Sequence, residues 1–414
     1  MLYYLPLESY RERYTIQWSA PETGWLERNW RRCSVPYKRI DPSAGEVKRP
    51  IKTGMVLDAR GRTGHCFFQV MELLALADRG QVNDSDVILL DDFWTPGLEA
   101  LAYTFHLLNV RPRVYAFLHA QSVDRFDFTH PMRRWMRPLE TGFAEFLDGI
   151  FVCCPTLKDL VVHGGIAPWN KVHVTGHPFS SAEVLGRTPD WYREGLAGTN
   201  GRYLGSRENR VVYSSRFDRE KNPHFFMDLV ERFGRAAPVP GVKFVVCTSA
   251  PELRSNDSRA VPRLRALASM RPDLVEIKEN LSKEDYYAEL CSAKVQFNCA
   301  DQDFVPITLQ EASVCGAYPV YPDFRSFPET FLDRPGFTYR RLHLQSAFGL
   351  LIAVLQQNGL WTNEALAARS WVHRRFDTSW IRMLRVMYPD EPFHTIPSDE
   401  TKEAKKDPFD PHDW

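Results

Sequence analysis

Short apolar runs alternate with amphipathic stretches along most of this chain, and the alternation starts twice. Leu2 to Leu5 predicts a first strand, and Val35 to Ile40 a second after a helical stretch from Glu22 to Arg32. Met55 to Asp58, the turn Gly61-Arg62-Thr63-Gly64 and a helix from about Cys66 to Asp78 come next. Val87 to Leu90 and Val114 to Leu118 read as strands, with a helix over Leu98 to Leu108 between them. Thr141 to Leu147, Gly149 to Cys153, Leu157 to His163 and Lys171 to Val174 continue the pattern. Strand and helix in strict turn, joined by short connections, predict a parallel sheet wrapped by helices.

Ser181 to Asn209 is rich in Gly, Arg and Ser and has little apolar periodicity, so it reads as a connection with irregular structure. The alternation then restarts. Arg210 to Ser215, Lys243 to Thr248, Val275 to Lys278, Lys294 to Cys299 and Tyr318 to Tyr321 predict strands. Pro223 to Phe233, Pro262 to Ser269, Lys283 to Cys291, Thr308 to Val314 and Ser346 to Gln357 predict helices. Trp371 to Tyr388 is a late amphipathic helix. The expected organisation is an α/β domain over 1–180, a linker over 181–209 and a second α/β domain over 210–370. The helix at 371–388 then crosses back to the first domain, and 389–414 is a disordered tail. Two Rossmann-like domains facing a central cleft follow.

The 414 residues are enough for two such domains, and 44% apolar content gives each a core. Lys plus Arg (52) balance Asp plus Glu (52), which argues against nonspecific coating of polyanions. The eight cysteines show no CxxC pair and no metal spacing, so buried reduced thiols in a cytoplasmic protein are expected. Charged residues at Arg11, Glu12 and Arg13 arrive too early for a secretory leader, and no apolar run reaches membrane-spanning length. The expected setting is the cytoplasm, or a host cytoplasm if the chain is viral.

Chemistry concentrates after two strands of the second half. Ala300 to Ala312 leaves an apolar strand and opens a helix, with Asp303 at the strand exit and Glu311 in the first helical turns. Ligands of open α/β sheets bind beyond the carboxyl ends of strands. A helix start offers free N–H groups to a phosphate, and a Glu a turn later accepts both hydroxyls of a ribose. Ser214 to Pro223 leaves another strand, with Asn222 as the expected helix cap, and carries Arg216 and Lys221, two cations suited to a diphosphate leaving group. A solvated charged turn is the plainer reading of that segment alone. Asp301-Gln302-Asp303 also spells a D-x-D triplet, two carboxylates spaced to hold a divalent cation such as manganese.

Taken together these motifs resemble the donor domain of a GT-B glycosyltransferase of the retaining family 4 type. Ser215-Arg216 through Pro223 resembles the family's G-R-x4-K-N/G-P element, with Ser215 in the Gly place. Asp303 to Glu311 resembles its E-x7-E signature, and Ala312 to Val320 the continuation. The resemblance covers about 208–335 well and the first half weakly. It implies that Glu311 holds the donor ribose, that Asp303 lies by the sugar hydroxyls, and that Arg216 and Lys221 stabilise the departing β-phosphate. Ser215, Ile307 and Thr308 complete donor binding. It further implies retention of configuration, no metal, a UDP- or GDP-sugar donor, and a His facing the transferred sugar, here His119. A lone His is otherwise most often structural. Two departures stand out: Asp303 replaces a Glu, and Val305-Pro306 replaces Phe-Gly, removing one backbone donor. A catalytically silent nucleotide or nucleic-acid binding protein is the alternative of another class.

The first half is then expected to carry the acceptor. Glu8, Arg11, Arg13 and Tyr14 follow the first strand, and Asp124 and Arg125 follow His119. Basic residues outnumber acidic ones over 1–62 and 101–137, interleaved with aromatics such as Trp135, which suits phosphate contact and base stacking. An ordinary solvated face, or an anionic lipid headgroup, would use the same charges. Leu281 to Glu329 loosely resembles tRNA-queuosine mannosyltransferases, and Tyr3 to Tyr14 resembles bacteriophage glycosyltransferases of hydroxymethylated DNA bases. The expected acceptor is a hydroxyl on a modified nucleic-acid base, DNA before tRNA. A polysaccharide or lipid-linked glycan is the alternative.

Overall fold

The computed structural model describes residues 1–8, 35–42, 59–119, 121–127, 129–200, 207–331, 333, 335–356 and 358–391. The acceptor candidates Arg11, Arg13 and Tyr14, the predicted elements at 22–32 and 55–58, and the tail from 392 lie outside them.

Two six-stranded sheets are both wholly parallel. The first uses β1 (Leu2–Leu5), β2 (Tyr37–Arg39), β3 (Val87–Leu90), β4 (Arg113–Phe117), β5 (Gly149–Val152) and β6 (Val172–Val174), in the order β2-β1-β3-β4-β5-β6. Its crossovers include α1 (Ala59–Asp78), α2 (Leu98–Leu108), α3 (Arg133–Phe146) and α4 (Pro155–His163). Strands such as Val87-Ile88-Leu89-Leu90 are buried on both faces, which is why they read as apolar runs rather than alternations.

Two short helices, α5 (Ser181–Leu185) and α6 (Asp190–Gly198), lie within the stretch expected to be irregular. Their apolar periodicity is slight because each docks through few side chains, with Val184 and Tyr192 entering the second core. The second sheet uses β7 (Glu208–Tyr213), β8 (Lys243–Cys247), β9 (Val275–Lys278), β10 (Ala293–Phe297), β11 (Tyr318–Asp323) and β12 (Thr338–Arg340), in the order β12-β11-β10-β7-β8-β9. Its helices are α7 (Pro223–Ala236), α8 (Ala260–Met270), α9 (Lys283–Ser292), α10 (Ile307–Val314) and α11 (Leu344–Gln356). The strand order reverses between β7 and β10, so the crevice beyond their carboxyl ends is the switch point where ligands of open sheets bind.

The late helix, α12 (Asn358–Met387), starts thirteen residues before the predicted Trp371 and belongs to both halves. Ala365, Ala368 and Val372 pack in the second core, whereas Trp380, Met383, Leu384 and Met387 pack in the first. The halves also meet directly. Arg325 pairs with Asp124 at 2.8 Å, Thr156 donates to Glu329 at 2.6 Å, and Phe304 is buried in the first core. The seven described cysteines are buried thiols.

Candidate functional site

The β7 exit makes one 3-10 turn, Arg219–Lys221, before Pro223 starts α7. Asn222 stands at the cap position in the left-handed region (φ 50°), but its side chain does not cap the helix. Its amide instead donates to the Cys299 carbonyl at 2.8 Å, tying the β7 exit to the β10 exit. This tie brings Lys221 over the neighbouring loop. The buried Lys221 ammonium donates to the Gln302 carbonyl at 2.5 Å and lies 3.7 Å from Asp303 Oδ2. Arg216 is 46% exposed and turns back on its own segment, to Glu220 at 2.7 Å and Asp218 at 3.2 Å. Asp301 is held by Arg341 at 2.7 Å, so each D-x-D carboxylate faces a cation of the protein.

Beyond Pro306, α10 opens with Ile307 and Thr308, whose N–H groups have no partner within the helix. One turn on, Glu311 is 1% exposed and accepts hydrogen bonds from Lys283 Nζ at 2.7 Å and the Tyr287 hydroxyl at 2.9 Å. Both partners come from α9, and neither was singled out from the sequence. The ion pair stands at the edge of a cavity of about 530 Å³ lined by Ser215, Arg216, Thr248, Asn256, Leu281 and Tyr286, among others. A second cavity, about 270 Å³, lies between the halves and is lined by His119, His177, Gln302, Asp303, Val305 and Ile307, among others. Thr308 lines both, so the two spaces meet at the start of α10.

His119, at the β4 exit, reaches the Asp91 carbonyl through Nε2 at 2.7 Å. Burial lowers its pKa, although nearby Asp92 pulls the other way. His177 follows Gly176, whose φ of 80° and whose Cβ position, 2.7 Å from Ser379 Oγ, exclude a side chain there. Burial, with the charges of His119 and Arg375, holds His177 well below the ordinary imidazole value. Both rings are therefore neutral near pH 7, able to donate from one nitrogen and accept at the other. The strand exit Val174-Thr175-Gly176-His177 was the sign by which sequence reading would have found it.

The first-half acids sit elsewhere. Glu8 is buried, 3.5 Å from Arg62, which also pairs with Asp92. Asp124 is buried against Arg325 of the other half, and its neighbour Asp127 accepts from Gln302 at 3.2 Å. Arg125 is exposed and stacks on Phe126. The structure thus brings Ser215, Arg216, Asp303, Ile307, Thr308, Glu311 and His119 to the lining of two adjoining cavities, sets the buried Lys221 behind Asp303, and leaves Glu8 and Asp124 in ion pairs outside them.

No protein-family model matches this chain. Solved structures match it in architecture. HepE of Anabaena in complex with UDP aligns over 93% of this chain and 98% of its own, at 13% identity and a TM-score of 0.60. Sucrose-phosphate synthase of Thermosynechococcus elongatus aligns over 93% and 97%, at 12% identity and a TM-score of 0.61. A mutant of TarM from S. aureus, in complex with fondaparinux, alpha-GlcNAc-glycerol and UDP, aligns over 77% of this chain at 11% identity and a TM-score of 0.54. This chain spans only 59% of the TarM chain. What these similarities share with the two parallel sheets and the cavity between them is the architecture: this chain has the GT-B fold, two Rossmann-like domains facing a cleft.

Proposed function

We propose that the chain is a glycosyltransferase that takes a sugar from a nucleoside diphosphate sugar. The observation that carries this reading is the meeting of two cavities at Thr308. The larger suits the nucleoside, with Glu311 toward the ribose. The Ile307 and Thr308 N–H groups suit the pyrophosphate, and the smaller space suits the sugar, between His119, His177 and Asp303. Lys221 stabilises charge that builds on the leaving β-phosphate, the kind of fixed electrostatic help worth several kcal/mol. Arg216 does so by trading Glu220 and Asp218 for phosphate. In this reading transfer proceeds with retention, as the resemblance to the retaining family 4 type implies, and without a metal, because two side-chain cations meet the leaving group. HepE, solved with UDP, and a second HepE structure with UDP and glucose support the donor class.

The acceptor we propose is a hydroxyl on a modified nucleic-acid base, DNA before tRNA. Support comes from α3, which exposes Arg133, Arg134 and Arg137 together with Trp135 at 59% exposure. Met136, Phe143 and Ala144 of that helix are buried, and Leu139, 39% exposed, joins Trp135 on its open face. Glu140 of the same helix accepts from the Ser122 N–H at 2.9 Å and its hydroxyl at 2.6 Å, fixing α3 to the loop that reaches Gln302 through Asp127.

Sugar nucleotides screened against hydroxymethylcytosine DNA, hydroxymethyluracil DNA and bulk tRNA, with product read by mass and anomer by NMR, test the activity. Turnover should persist in chelator. Reversing Arg133, Arg134 and Arg137 to Glu should weaken DNA binding and flatten its salt dependence by roughly three counterions. Absence of UDP or GDP release from every sugar nucleotide would overturn the enzyme reading. Salt-independent binding would overturn the nucleic-acid acceptor.

A further inference from the structure

Lys283 is a charged group of the donor cavity that the reading above does not use. Lys283 opens α9 behind Ser282, whose hydroxyl caps the helix through the Asp285 N–H. Its ammonium lies 2.7 Å from Glu311 Oε1, and its other contacts among the described residues are the rings of Tyr286 and Tyr287, at 5.5 and 5.4 Å. The side chain is partly exposed and lines the cavity beside Ser282, Tyr286 and Glu311. Tyr286 is fixed in turn, its hydroxyl 2.8 Å from Ser214 Oγ, which accepts from Gln296 at 2.9 Å. The ammonium is thus boxed by two rings and a carboxylate, with its open side toward the ligand space.

A carboxylate only accepts hydrogen bonds, whereas a ribose hydroxyl both donates and accepts. Glu311 alone can satisfy the protons of the diol but not the oxygen lone pairs. An ammonium carries three N–H donors, and Glu311 takes one here. Resting on the reading of this cavity as a nucleoside diphosphate site, we propose that Lys283 is a second ribose-reading group and a specificity determinant. It donates to a hydroxyl that itself donates to Glu311, so the pair recognises a ribonucleotide by both faces of one hydroxyl. Lys283 also positions Glu311 by holding Oε1 in place. A deoxy analogue removes that hydroxyl and leaves the Lys283–Glu311 pair with nothing between it and solvent.

The test separates recognition from mere charge balance. Calorimetry would measure UDP, GDP and the 2′-deoxy and 3′-deoxy forms of whichever binds, on the wild-type chain, Lys283→Met and Lys283→Arg. The wild-type chain should prefer the ribonucleotide to at least one deoxy form by about tenfold or more, the scale of a charge-assisted hydrogen bond. In Lys283→Met that ratio should fall to about threefold or less. Lys283→Arg keeps the charge against Glu311 and alters the donor geometry, so its ratio should fall between the two; it also serves if the Met variant does not fold. A ratio unchanged in both variants, with affinity for every ligand lowered equally, would reduce Lys283 to a counter-ion and overturn the proposal. Failure of the wild-type chain to bind either nucleotide would instead overturn the donor reading on which the proposal stands.

Discussion

The two halves repeat one architecture, yet the paired charges after their strands sit in different places: at a cavity in the second half, away from it in the first. In the second half Asp303 follows β10 and lines the crevice where strand order reverses, and Lys221, which follows the neighbouring β7, pairs with it from behind. In the first half Glu8 and Asp124 also follow strand exits but are consumed by Arg62 and Arg325. A strand exit determines where a residue begins. Whether it faces ligand depends on which counter-charge the fold places within reach.

Predictions can break this contrast, beginning with the largest. Asp124→Ala should cost about 3 kcal/mol of stability, because it leaves the Arg325 guanidinium buried without its carboxylate. A thermal melt unchanged from wild type, with acceptor KM alone raised, would return Asp124 to the acceptor site. Lys221→Ala should lower kcat at least about 100-fold in a chain that still folds by circular dichroism. Glu311→Ala and Arg216→Ala should each cost about tenfold or more in kcat/KM. Unchanged rates in both would remove the proposed donor site.

A smaller effect concerns pH. His119 and His177 have folded pKa values below the ordinary imidazole value of about 6.5. Their unfolded forms therefore take up protons first as pH falls. The stability they contribute is complete above about pH 6.5 and is lost as pH drops through their folded values. His177→Gln should flatten the fall of denaturation midpoints as pH drops below about 6.5, and an unaltered slope would contradict its burial as a neutral ring. At the small end, Arg125→Ala should change stability by no more than about 0.5 kcal/mol, since the side chain is exposed, while weakening acceptor binding. A large loss of stability there would show that the exposed rim, too, is structural.

Much of the fold was legible because buried parallel strands write themselves as apolar runs, as Val87 to Leu90 and Lys243 to Cys247 do. β12 and α6 escaped because short elements docking by one or two side chains carry no period. At the site, Asp303 and Glu311 were readable since a single strand–turn–helix joins them. Lys283, Tyr287 and His177 were not, because they reach the site from other crossovers, and only tertiary packing places an α9 ammonium on an α10 carboxylate. The half proposed to carry the acceptor was the least legible. Its charges were counted correctly, but their directions depend on partners far away in sequence, such as Arg325 for Asp124.

The helix shared by both cores has a consequence for biosynthesis. Trp380, Met383, Leu384 and Met387 close the hydrophobic interior built on β1 to β6, yet a ribosome makes them after every strand of the other sheet. Domains ordinarily fold in the order they emerge. Here the earlier-translated half must wait, an apolar groove open, until its late-arriving plug is delivered, which makes that interval the moment at which chaperones have most to protect.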